Sequence, residues 1–187
     1  MKIGIDIDNT ICSTDELLDK KIDDYIKEKG MSQKEFFSDI KYMSDFYEEK
    51  LLEVVFEDQV KDGFLDVLNK LKINNEIIIV TARNEKLSRS FQNMRKATLE
   101  WLEKNNIYYD KYYDDAYKEG KVRVCKKEGI DIIIDDDINN FLMISGLSSI
   151  LRASDNIYLT NATMEDDYKS VVTTIKNSSK LDKKNKE

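Results

Sequence analysis

Asp6 and Asp8 stand one residue apart at the end of a short apolar run, in Ile3-Gly4-Ile5-Asp6-Ile7-Asp8-Asn9-Thr10. Side chains alternate along an extended chain, so the two carboxylates project to one side while Ile7 points to the other. Like charges at that range repel by about 4 kcal/mol at an effective dielectric of about 20, which calls for a cation or for a raised pKa on one of them. A second acid pair, Asp135-Asp136, closes another apolar run, Ile132-Ile133-Ile134, and Thr81 closes a third, Ile77–Val80. Lys121 lies one short helix ahead of the second acid pair. In open parallel sheets ligands bind beyond the carboxyl ends of the strands, where these residues would gather.

Oxygen ligands without His or Cys select a hard cation, with Mg²⁺ the default, and Asp6, Asp8, Asp135 and Asp136 are the candidate ligands. Which of Asp135 and Asp136 binds directly, and which through water or an orienting bond, stays open. A carboxylate beside such a cation, with a hydroxyl and a lysine to hold an oxyanion, suits phosphoryl transfer. Asp6 is the candidate nucleophile, giving an aspartyl phosphate that water hydrolyses, and Asp8 the general acid and base. Thr81 and Lys121 are candidates for the phosphoryl oxygens, with Lys118 competing for the second role. Arg83 is a candidate for the substrate phosphate, or for pairing with Glu85 or another acid. Asp137 reads as a helix N-cap.

Composition removes other chemistries. The 187 residues contain no His, which excludes Ser/His/Asp and Cys/His nucleophile systems. A formal charge of -7, from 30 basic and 37 acidic residues, argues against a nucleic-acid polymer as partner. Cys12 and Cys125 lack metal-ligand spacing and suggest no disulfide framework; Cys12 reads as a small buried apolar residue. The sequence offers neither a signal peptide nor about 18 consecutive apolar residues, so the expectation is a cytoplasmic protein with no membrane contact.

Strands at Lys2–Ile5, Ile77–Val80 and Ile132–Ile134 must position these groups. The second arrives far later than the ~30 residues of a simple βαβ unit allow, so an insertion is expected. Three capping patterns, Ser13 with Glu16, Ser32 with Glu35 and Asp45 with Glu48, precede apolar residues at helical spacing. They predict helices near 14–29, 32–43 and 46–57, within an insertion spanning 12–60. Its aromatics include Phe36 and Phe46, candidates for stacking on a substrate base, although aromatics at helical spacing also build cores. A crossover helix carries Phe64, Leu65, Leu68 and Leu71. A longer helix covers Ser88 to Lys104, an extended piece Ile107 to Tyr109, and a short helix opens at Lys121 and closes at Gly129. A helix at Phe141–Leu147, late strands at Ile150-Leu151 and Ile157–Leu159, a last helix at Glu165–Ile175 and a disordered tail over 177–187 complete the expectation. Strands alternating with helices imply an α/β fold with a mostly parallel sheet covered on both faces.

Asp6-Ile-Asp8-Asn-Thr10, Thr81, Lys121 and Asp135-Asp136 resemble, in order, the four motifs of the haloacid dehalogenase (HAD) superfamily. A response-regulator receiver domain also uses acids, Thr and Lys, but in an order this chain does not offer. The resemblance implies a Rossmann-like core over 1–11 and 61–176, a small helical cap over 12–60, and a Mg²⁺-dependent phosphomonoesterase. The run Ile79-Val80-Thr81-Ala82-Arg83, the later Thr98-Leu-Glu-Trp101-Leu102 and Lys121 resemble the 5'-nucleotidases, in particular the deoxyribonucleotidase-like group. That step implies nucleoside monophosphates as substrates. The alternatives are a sugar- or small-metabolite phosphatase, and a non-catalytic phosphate-binding regulatory module.

Overall fold

The computed structural model describes residues 1–86, 91–114 and 119–136 and the backbone of 158–160. Five parallel strands form one sheet: β1 (Lys2–Ile5), β2 (Glu76–Val80), β3 (Lys111–Tyr113), β4 (Ile132–Ile134) and β5 (Tyr158–Thr160), in the order β3-β2-β1-β4-β5. The helices are α1 (Thr14–Lys29), α2 (Gln33–Ser38), α3 (Ile40–Glu57), α4 (Phe64–Leu71), α5 (Met94–Lys104) and α6 (Glu119–Glu128). The α/β architecture with a helix-covered parallel sheet is as expected. Among the described residues, no helix is long and apolar enough to cross a membrane.

Alternation along the strands divides the core in two. Ile3 and Ile5, Ile77 and Ile79, and Ile132 and Ile134 pack with residues of α4 and α5, among them Leu68, Leu71, Trp101 and Leu102. Ile78, Val80 and Ile133 pack instead with Val122, Val124 and Cys125 of α6. Gly4 lies on this second face, where a Cβ would stand 3.1 Å from Ile130 Cδ1, so a larger residue would require that side chain to shift.

The insertion between β1 and α4 consists of α1, α2 and α3 and carries a separate cluster of Ile22, Tyr25, Ile26, Phe36 and Phe46. Its rings meet edge to face, with Tyr25 and Phe46 at 5.3 Å between centroids. The eighteen-residue α3 reaches from this cluster to the sheet, since Phe46 belongs to the first and Val55 to the second. The two connecting segments lie side by side: Cys12 and Val60 form an antiparallel bridge, and Lys61 N donates to Ile11 O at 2.8 Å.

Local chemistry moves several boundaries. The Ser32–Glu35 capping box forms as expected, each side chain meeting the other's backbone N–H. Ser13 makes no side-chain cap; Asn9 Oδ1 instead accepts from Asp15 N at 3.0 Å. Asp39, not Asp45, caps α3, accepting from Lys41 N, and divides the expected 32–43 helix in two. The expected strand at Ile107–Tyr109 falls instead at Lys111–Tyr113, because Ile107 N donates to Leu102 O and its side chain seals the end of α5. Ser88, Lys118, Asp137, the helices at Phe141–Leu147 and Glu165–Ile175, the strand at Ile150-Leu151 and the tail over 177–187 lie outside the described residues.

Candidate active site

Register brings the first acids together. Ile5 pairs with Ile134, so Asp6 and Asp135, each one residue further, emerge side by side, and Asp6 N donates to Ile134 O at 2.9 Å. Continuing the alternation, both carboxylates fall on the face covered by α6. Lys121, in the first turn of that helix, reaches between them: its Nζ is 2.9 Å from Asp6 Oδ2 and is hydrogen-bonded to Asp135 Oδ2. Asp6, Asp135 and Lys121 are all buried. Asp136 is half-buried beside them, and Asn9, between Asp8 and Thr10, turns with φ 54°.

Burial pushes the Asp6 carboxyl up to about 8, with Asp135 and Asp8 adding to the rise and Lys121 opposing it. Asp136 is raised as well, by burial and then by Asp135. Oxygens of Asp6, Asp135 and Asp136 lie within 4.8 Å of one another, and Asp6 Oδ1 is buried with no hydrogen-bond partner among the described residues. Three carboxylates around one lysine, with a buried oxygen unmet, suit a hard divalent cation: it would relieve the repulsion and take that oxygen.

The Asp8 side chain stands apart from this group. Its Oδ1 accepts from Arg83 Nε at 3.0 Å, Arg83 Nη2 at 2.8 Å and Thr14 Oγ1 at 2.9 Å. Burial works to raise Asp8, but Arg83 and Thr14 outweigh it and hold the carboxyl below its usual range. Arg83 also reaches Asp58 Oδ2 at 3.3 Å, and Thr14 Oγ1 lies 2.7 Å from that same oxygen, so its single hydroxyl proton is shared between the Asp8 and Asp58 carboxylates. Below, the guanidinium lies 5.4 Å from the ring centroid of Trp101, whose Nε1 donates to Asp58 O at 2.7 Å. Asp8, Cys12 and Asp58 also come close enough to suggest metal ligands, but Arg83 Nη2 sits among all three and supplies the positive charge. Burial drives the Cys12 thiol well up, in keeping with an inert buried residue.

Thr81 is fully buried at the end of β2, where its Oγ1 accepts from Arg83 N at 3.2 Å. Arg83 therefore pairs with Asp8 and Asp58. Phe36 and Phe46, expected as base-stacking candidates, lie instead in the interior of the insertion at 1% and 0% exposure, where they pack edge to face with Tyr25 and with each other. The sequence reading passed over Thr14, Asp58 and Asn9. Only Asn9 carried a local signal, as a turn former directly after the acid pair. Above Asp8 lies a cavity of about 240 Å³ between α3 and the start of α5, walled by Leu51, Val54, Val55, Phe91 and Met94 together with Arg83.

The sequence matches no family model and no curated protein. Solved structures do align. A hydrolase from Streptococcus pneumoniae superimposes with a TM-score of 0.61 at 14% identity, over 92% of this chain and 97% of that one. A HAD-superfamily hydrolase of subfamily IA from Geobacter sulfurreducens gives 0.55 at 14%, over 93% and 96%. The fold is that of the HAD hydrolases. A HAD-fold protein described as a phosphoglycolate phosphatase, from Lactobacillus plantarum, gives 0.53 at 12%, over 89% and 87%. None of these three is described as a nucleotidase.

Proposed function

We propose that this chain is a divalent-metal-dependent phosphomonoesterase acting on a small phosphorylated metabolite, with Asp6 as nucleophile. The observation that carries the reading is Asp6 itself, a buried carboxylate with one oxygen held by Lys121 and the other unmet, facing Asp135 and Asp136. The expected nucleotidase specificity finds no support among the neighbours, one of which is described as a phosphatase of a small hydroxy-acid ester.

In this reading Asp6, Asp135 and Asp136 would hold Mg²⁺, whose charge offsets that of the phosphoryl group and keeps Asp6 ionised. Asp6 attacks phosphorus; the new bond to the carboxylate forms as the bond to the leaving oxygen breaks, and that oxygen takes a proton from Asp8. Water then attacks the aspartyl phosphate, Asp8 recovers its proton, and inorganic phosphate leaves with Asp6 regenerated. Lys121 and Thr81 stabilise the phosphoryl oxygens, where charge spreads in the transition state. Arg83 and Thr14 favour the ionised form of Asp8, the form that receives the proton from water; the proton it passes to the leaving oxygen is first supplied by a phosphomonoester that enters as its monoanion.

Phosphate release from a panel of sugar, hydroxy-acid and nucleoside monophosphates, with and without Mg²⁺, tests the reading. Metal-dependent turnover that disappears in Asp6→Asn is the expected result. Equal turnover by that variant, or silence of the wild type across the panel, overturns it.

A further inference from the structure

The cavity above Asp8 constrains what the phosphate is attached to. In the proposed reaction the leaving oxygen meets Asp8, so the group behind it enters the space that Asp8 borders. That space measures about 240 Å³ and is walled mainly by the aliphatic and aromatic side chains of Leu51, Val54, Val55, Phe91 and Met94. Val54, Val55 and Met94 are at most 3% exposed, so the wall is built from packed side chains. An engineered cavity of about 150 Å³ accepts benzene, so this one holds a ring with a short substituent. Asp8 and Arg83 are its charged lining residues, and Arg83 Nη1 is buried with no hydrogen-bond partner among the described residues. Arg83 is already shared between the carboxylates of Asp8 and Asp58, leaving one formal negative charge in excess. A second anionic group would enter an apolar space beside that excess, where Arg83 is the one cation among the described lining residues, and a polyol would lose water from hydroxyls that these walls cannot answer.

We infer that the substrate is a phosphomonoester of a compact, neutral, largely apolar alcohol, and that Leu51 and Val54 on α3 set the size it can have. This rests on the phosphomonoesterase reading and narrows it. It separates the chain from its hydroxy-acid-phosphatase neighbour, whose substrate carries a carboxylate on the leaving group.

The test compares benzyl phosphate with 2-phosphoglycolate and glucose 6-phosphate, all esters of primary alcohols and so similar in intrinsic leaving ability. The full chain is assayed with Mg²⁺, with Asp6→Asn as blank. The inference expects kcat/KM on the benzyl ester to exceed both others by about tenfold or more, the scale on which apolar pockets discriminate. Val54→Phe should lower the ratio of benzyl phosphate to methyl phosphate turnover at least about tenfold. If that variant fails to fold, Leu51→Ala replaces it and should shift preference from benzyl toward naphthylmethyl phosphate. Preference for the carboxylate or sugar ester, with metal dependence and a dead Asp6→Asn, overturns the inference and leaves the phosphatase reading standing. So does an unchanged size preference in the folded variants. Absence of turnover on every ester removes both.

Discussion

Asp6 and Arg83, which follow the paired strands β1 and β2, are two buried charges that each keep one atom without a hydrogen-bond partner among the described residues. Asp6 keeps an oxygen with no hydrogen-bond partner among the described residues, which suits a group that binds a cation. Asp6→Asn is expected to abolish phosphate release while leaving thermal unfolding at neutral pH nearly unchanged, since a carboxyl pushed up to about 8 is already largely neutral there and Asn is its neutral isostere; calorimetry beside the assay checks both. Arg83 is held from three sides by Asp8, Asp58 and Trp101. Arg83→Met should destabilise the fold by about 3 kcal/mol, the low end for breaking a buried pair because Asp8 is one-third exposed, with Asp58→Asn restoring part of the loss. Denaturant titration of the single and double variants measures this. Pairing of Arg83 with an acid was one of the expected outcomes, but which acid was not legible, because Asp58 lies 25 residues away at the end of an insertion, beyond any local pattern.

At the scale of elements, the strands bearing the acids were legible: short isoleucine-rich runs that end abruptly in Asp or Thr have few other readings in an α/β chain. Boundaries decided by one hydrogen bond were less so, as at Asn9, Asp39 and Ile107. The capping box of α2 is local and was read correctly; Ser32→Ala should cost about 1 kcal/mol, and faster amide exchange in 33–38 should register it. At the opposite end of the sheet from the acids, Glu128 accepts from Lys111 Nζ at 2.6 Å and from Tyr113 Oη, which ties α6 to β3. The Lys111 bond, then that of Tyr113, hold Glu128 below its ordinary range. A carboxyl lowered by folding stabilises the native state above its unfolded pKa, about 4.3, and loses that stabilisation as pH falls through the lower folded value. Wild type should therefore lose stability more steeply below about pH 4.3 than Glu128→Gln, in urea titrations across that interval.

On the scale of the whole molecule, the ends of β1 and β4 and the first turn of α6 meet at one place, so a cation bound there ties together elements distant in sequence. Mg²⁺ at about 100 times its dissociation constant should raise stability by about 2.7 kcal/mol, a gain that Asp135→Asn abolishes and a chelator reverses. Thermal unfolding at several Mg²⁺ concentrations follows it independently of any substrate. The overall topology was readable because order and spacing of the acids, threonine and lysine constrain it; the aromatic lining was not, since Phe36 and Phe46 obey helical spacing equally well facing inward or toward a ligand. Trp101, finally, is the chain's one tryptophan, fully buried under Arg83 with its indole N–H on Asp58. Its emission therefore originates at one known position, where the insertion rejoins the core beneath Asp8. Intrinsic fluorescence thus supplies an optical probe of that junction without any label, and a spectral change on adding metal or ester can be assigned to one spot in the protein.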